Sequence, residues 1–332
     1  MKDLIKTLTE EYGPSGSEDK IVKLIKGAIA PFVDEMEVDK MGSLVAVKKG
    51  SGARAMLAAH MDEIGLIVTH IDKNGFLRFS VVGGVAPFRL SGSRVVLGNG
   101  LVGTINLERV PDPAKAGFDK MFIDIGAASK EEAESKVSIG DFAVFRQDCV
   151  DLGDRVIAKA MDDRVGCAVL IETAKRLKNS PNQVHFVFTV QEEVGCRGAT
   201  TSAYAIEPDL GIAVDVTRTG DTPEAATMEV SLGKGPAIKV KDSGVIAHPK
   251  VRDFLVGTAK ELEMPYQLEI LEGGGTDAGP MQRSRGGVPA GVVSIPTRYV
   301  HSPSEMIDIG DTEGCIKLLT AALEKDLRGE GF

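Results

Sequence analysis

Tryptophan is absent from this 332-residue chain, and Phe and Tyr together make up only 5% of it. Sugar-binding clefts ordinarily need aromatic stacking platforms, so a carbohydrate-cleaving site is disfavoured. No apolar run in the sequence reaches the roughly 18 residues that a membrane-spanning helix requires. The opening MKDLIKTLTEEYG carries acids within a helical apolar pattern, unlike a signal peptide. Cysteine is scarce, and Cys149, Cys167, Cys196 and Cys315 form no CxxC pair. They read as reduced thiols with neither a disulfide nor a zinc role, which points to a cytoplasmic location. No GK[ST] phosphate loop occurs, and SVVGGVAP has no helix after it, so nucleotide-binding readings fail. With 39 basic residues against 48 acidic, the net charge of −9 argues against nucleic acid or an anionic membrane as partner.

What is present is a large apolar fraction, 43%, enough for a sizeable core and about two domains. Leu4, Ile5 and Leu8 repeat at helical spacing, and GPSGSED then breaks the chain. Ser15 with Glu18 predicts a capping box for a helix running to about Ala30. AMLAAH reads as a core strand ending at His60. From about 67 to 155 the texture changes to short strands broken by Gly, Asn and Pro: LIVTHI, FLRFSVV, SRVVL, LVGTINL, MFIDIG and FAVF. Helix and strand then alternate again. Asp163 to Leu177 and TEGCIKLLTAALEKDL read as helices, and VHFVFTV, LGIAVDV and GVVSIP as buried strands. The prediction is one α/β domain built from residues 1–66 and 156–332, interrupted by a β-rich unit at 67–155.

Acids and histidines sit where the predicted strands end: His60 and Asp62, Asp162 and Asp163, Glu192 and Glu193, Asp215, and His301. Open α/β sheets bind ligands outside the carboxyl ends of their strands. Imidazole and carboxylate together suit zinc, cobalt or manganese. A two-metal hydrolase needs a bridging carboxylate, terminal ligands for each ion and a separate base. In that scheme His60 and Asp215 serve one ion, Glu193 and His301 the other, and Asp162 bridges. Asp62 orients His60, and Glu192 remains free as general base.

Singly, each motif has an ordinary explanation. HxD is common in turns, DDR at a helix start caps amides, and EE before Gly is usually a solvated turn. Their joint occurrence, each after a buried strand, is what carries the metal reading. His70, His185 and His248 read as structural. In GGGTDAGP, Thr276 or Asp277 either caps the next helix or borders a substrate pocket.

In order along the chain, HMDEIG, the DDR after a long β-insertion, QEEVGCRGA, VDVT and YVHSP resemble the glutamyl aminopeptidase / cellulase M family of metallopeptidases, which includes the tetrahedral aminopeptidases. The likeness covers essentially the whole sequence. It implies the same roles for His60, Asp162, Glu193, Asp215, His301 and Glu192. It implies a zinc-peptidase-like α/β/α domain with an inserted, barrel-like dimerisation domain, and two zinc or cobalt ions per subunit. It also implies short peptide substrates trimmed from the N-terminus, a tetrahedral dodecamer built from dimers, and a cis peptide between Asp162 and Asp163. The insertion falls in the 102 positions between His60 and Asp162, not in the 22 between Glu193 and Asp215. Related carboxypeptidases and deacylases carry theirs after the Glu pair. A glycosidase has no need of two histidines and a bridging aspartate, and a non-catalytic assembly has no need of Glu192.

Overall fold

The computed structural model describes all residues from Met1 to Phe332. Four parallel strands form the middle of an 11-stranded sheet, in the spatial order Gln183–Thr189, Arg54–His60, Leu210–Thr217 and Ala290–Arg298. Antiparallel strands flank them: Leu44–Lys48 and Glu35–Val38 at one edge, and Glu305–Asp308, Arg155–Ala158 and Val150–Asp151 at the other. Successive side chains on a strand face opposite ways. Ala55, Leu57 and Ala59 accordingly enter the larger core, while Met56 and Ala58 enter the smaller one.

Helices cover both faces. Lys2–Glu10, Asp19–Ile29, Met161–Arg176 and Ile309–Glu324 pack on the face with the bulky side chains. Arg197–Ile206 and Ala278–Gln282 lie on the other, where Ala203, Ala213, Ala278 and Met281 meet. From Met161 to Ala174 every residue of Met161–Arg176 is buried, so no polar face shows in its pattern. No helix is long and apolar enough to cross a membrane.

The six short strands of the middle segment close into a barrel: Gly65–Ile71, Leu77–Val82, Met121–Asp124, Val102–Leu107, Arg94–Leu97 and Phe142–Phe145. Leu66, Val68, Leu77, Phe79, Val95, Leu97 and Ile123 point inward at alternate positions. The expected α/β/α domain and barrel-like unit are thus both present. The strand Val150–Asp151, which the sequence places within the β-rich unit, pairs with Arg155–Ala158 in the main sheet.

One local expectation fails. Ser15 and Glu18 form no capping box, and the helix starting at Asp19 has no side-chain cap. The Ser15 hydroxyl donates instead to the Asp62 carboxylate, 2.6 Å away. Glu18 Oε1 accepts the amides of Gly16 and Gln191. A charged, buried acceptor makes a stronger partner for the hydroxyl than a helix-end amide does.

Candidate metal centre

The carboxyl ends of the four parallel strands all open on one cavity of about 260 Å³, lined by His60, Asp162, Glu192, Glu193, Asp215 and His301. His60 ends its strand, Asp215 lies two residues before the end of the next, and Glu192 and Glu193 follow Thr189 on a short turn. His301 follows Arg298 in a left-handed conformation, with φ of 60°. Asp162 arrives from the strand Arg155–Ala158, and its peptide bond to Asp163 is cis, as the resemblance implies.

Two overlapping donor sets result. His60, Asp162 and Asp215 offer atoms within 4.8 Å of one another, and so do Asp162, Glu193 and His301. Asp162 belongs to both: its Oδ1 is 2.9 Å from His60 Nε2, and its Oδ2 is 3.2 Å from His301 Nε2. Glu192 belongs to neither, with its Oε2 4.0 Å from His60 Nε2.

Beneath these groups, Asp62 is fully buried and braces the turn. Its carboxylate accepts the amides of Glu192 at 3.0 Å and Glu193 at 3.2 Å, and its carbonyl oxygen lies 3.1 Å from His60 Nδ1. Glu305, which sequence reasoning missed, braces the other side by accepting the amides of Asp162 at 3.0 Å and His301 at 2.7 Å. Asp163 accepts the amides of His60 and Gly166. Ser15 carried the signal of a helix cap, not of this role, and Glu305 carried none. A hydroxyl in a Gly-rich loop and a Glu opening a short strand acquire these partners only through tertiary contact.

Crowding sets the electrostatics. Burial, with the charges of Asp215, Asp277 and Glu193, pushes the Glu192 carboxyl well above its ordinary range, against the pull of His60. Burial and Asp162 push Asp215 up in the same way. Burial opposes the ionised form of Asp162, but the imidazoles of His301 and His60 hold its carboxyl below the usual range. Burial would lower both imidazoles. His60 is nonetheless held well above its usual value by Asp162 and Asp62, and His301 is raised to about 11 by Asp162 and Glu193.

Thr276 and Asp277, expected either to cap the next helix or to border a substrate pocket, are buried and do not line the cavity; Gly273, Gly274 and Gly275 do, and Thr276 Oγ1 accepts the Ala278 amide at 3.4 Å. The Asp277 carboxylate turns inward to accept the Thr189 hydroxyl at 2.5 Å. Beside the centre a second hollow, of about 570 Å³, shares Gly84, Arg218, Leu271 and His301 with it and is walled by Phe88, Met228, Ile270 and Tyr299.

The barrel reaches this site through Gly84. A Cβ there would lie 2.5 Å from His301 Nδ1 and 2.7 Å from its Cε1. Gly84→Ala is therefore expected to displace the His301 ring and weaken metal binding at the Asp162, Glu193 and His301 set by about 10- to 100-fold. Metal titration by calorimetry, with the unfolding midpoint as control for the fold, checks this.

The sequence profile of the M42 glutamyl aminopeptidase family matches residues 42–318. The chain belongs to the M42 glutamyl aminopeptidase family. This M42 chain is 54% identical over 324 residues to a candidate aminopeptidase of Acetivibrio thermocellus, covering 97% of this chain and 98% of that one. The solved aminopeptidase of the archaeon Desulfurococcus kamchatkensis superposes with a TM-score of 0.94 at 43% identity, covering 97% and 94% of the two chains. The TET1 peptidase of Pyrococcus horikoshii, which can assemble into a tetrahedron or a large octahedral shell, superposes at 0.88 with 35% identity over 97% and 98%. M42 peptidases are metal-dependent, and the donors of this member fit such a centre. Imidazole and carboxylate donors together suit a divalent transition metal. Glu193 Oε1 is buried with His301 Nε2 3.3 Å away but no hydrogen bond of good geometry, an arrangement that a cation between them relieves.

Proposed function

We propose that this chain is a dinuclear metallo-aminopeptidase that removes N-terminal residues from short peptides. One observation carries the reading: two donor sets share Asp162, while Glu192 stands beside both and belongs to neither. Asp162 would bridge two zinc or cobalt ions, with His60 and Asp215 holding one and Glu193 and His301 the other. When bound, such ions polarise the scissile carbonyl and bring the pKa of the attacking water down to about 7.

The chain's own groups do the rest. Asp62 fixes the turn that carries Glu192 and Glu193, and its carbonyl keeps the His60 Nδ1 proton so that Nε2 presents a lone pair. Glu192 Oε1 is engaged by the Cys196 thiol at 3.0 Å, which leaves Oε2 toward the centre. Oε2 is the atom that takes the proton from the attacking water and returns it to the leaving amine. The adjoining hollow of about 570 Å³ receives the peptide.

We further propose that residues 1–66 and 156–332 form the catalytic domain and 67–155 the inserted one, with the strand Val150–Asp151 transferred to the former. In this reading the barrel supplies dimer contacts, and dimers build a tetrahedral dodecamer in the cytoplasm. The shell formed by the Pyrococcus horikoshii relative supports a homo-oligomer.

The test is turnover of Leu, Glu, Lys and Ala p-nitroanilides by protein reloaded with zinc or cobalt, beside N-acetylated controls. Hydrolysis of free-amine substrates alone, abolished by chelator and restored by metal, is expected. Cleavage of the acetylated substrates, or no turnover by protein carrying two ions, overturns the aminopeptidase reading.

A further inference from the structure

A third group of donor atoms stands behind Glu192. Glu192, Cys196 and Asp277 bring two carboxylate oxygens and a thiol sulfur within 4.8 Å of one another. Cys196 and Asp277 belong to neither of the two sets that share Asp162. The group is built into the backbone. Cys196 sits in a left-handed turn, φ 51°, and its amide donates to the Glu192 carbonyl at 2.9 Å, so the two side chains are held on one side of a tight loop. Cys196 Sγ lies 3.0 Å from Glu192 Oε1.

Asp277 provides an independent sign of a ligand. It is only 2% exposed; its Oδ2 accepts from Thr189, while Oδ1 is buried without any hydrogen-bond partner. A buried carboxylate oxygen with no donor is unfavourable, and a cation beside it removes the penalty. Zinc holds sulfur at about 2.3 Å and carboxylate oxygen at about 2.0–2.2 Å, so donors around one tetrahedral ion are about 3.5 Å apart. The three donor atoms, within 4.8 Å of one another, lie near that spacing, and a tetrahedral ion would take its fourth ligand from solvent.

We propose that Glu192, Cys196 and Asp277 form an inhibitory site for a third, thiophilic divalent cation, zinc or cadmium. The sulfur sets the class of ion, since thiolate selects soft metals over magnesium or calcium. On binding, the thiol proton passes to solvent and sulfur becomes a ligand. Glu192 is drawn into the same coordination and no longer receives the proton of the attacking water. Activity then rises as the first two ions bind and falls as the third does. The inference rests on the reading of Glu192 as general base.

The experiment titrates the full-length protein with zinc and with cadmium. Bound ions are counted by native mass spectrometry, the sulfur-to-cadmium charge-transfer absorption is followed, and turnover is measured in parallel. Wild type is expected to bind a third ion with growth of that absorption and loss of activity. Cys196→Ser, which keeps a hydroxyl beside Glu192, is expected to stop at two ions, lack the absorption, and need roughly tenfold or more zinc for inhibition. Wild type that saturates at two ions overturns this inference alone. A Cys196→Ser protein that still binds three ions and is inhibited at the same zinc concentration also overturns it. Wild type that binds fewer than two ions overturns the dinuclear reading, and this inference with it.

Discussion

Glu192→Gln is expected to lower kcat by about 10²- to 10⁴-fold while both ions remain bound, which corresponds to roughly 3–5 kcal/mol of lost transition-state stabilisation. Glutamine preserves the volume of the side chain and can still accept from the Cys196 thiol. Its amide cannot take up a proton at pH 7. Because Glu192 lies outside both donor sets that share Asp162, the two ions of those sets should stay bound. The check is kcat on the preferred p-nitroanilide beside metal content by mass spectrometry. Normal turnover in the variant removes Glu192 from the base role. Loss of one of those two ions together with activity would make it a ligand of the dinuclear centre instead.

Asp162→Ala is expected to drop metal content below one ion per chain and to abolish detectable turnover. Its two oxygens face His60 Nε2 at 2.9 Å and His301 Nε2 at 3.2 Å, so one substitution removes a donor from both sets. The binding loss should exceed the 10- to 100-fold typical of a group that only orients a ligand. Asp162→Asn serves as companion, since it keeps the volume and one acceptor oxygen in case alanine disturbs the packing near the Asp162–Asp163 bond. Two tightly held ions in both variants would contradict the bridging role.

Much of this centre is readable from the sequence because strand ends announce themselves. Continuous apolar runs such as VHFVFTV and LGIAVDV mark parallel strands buried on both faces, and the polar residues just beyond them converge at one sheet edge. The barrel was readable for a related reason: alternation in Leu66, Val68 and in Leu77, Phe79 records one inward face, and the Gly-bearing turns mark where each strand stops.

What stayed hidden depends on contacts distant in sequence. Ser15 has the spacing of a helix cap, yet its hydroxyl goes to Asp62, 47 positions away. Thr276 and Asp277 follow a glycine run that does line the cavity, and only packing shows that their side chains turn inward. Glu305 lies just beyond His301 and resembles an exposed acid, while in the fold it is 1% exposed and grips two amides. Cys196 looked like one more inert thiol, because Asp277 is 81 positions further along the chain.

The donors to this centre extend from His60 to His301, and the strand Ala290–Arg298 that delivers the last of them lies deep in the order of the sheet. A chain emerging from the ribosome therefore carries no hydrolase for most of its synthesis. His60 and Asp62 exist early, then wait through a whole barrel and three more core strands before the set closes. Contacts this distant in sequence form late in folding. The centre thus depends on the last parallel strand, and a polypeptide cut before Ala290 lacks the His301 donor altogether.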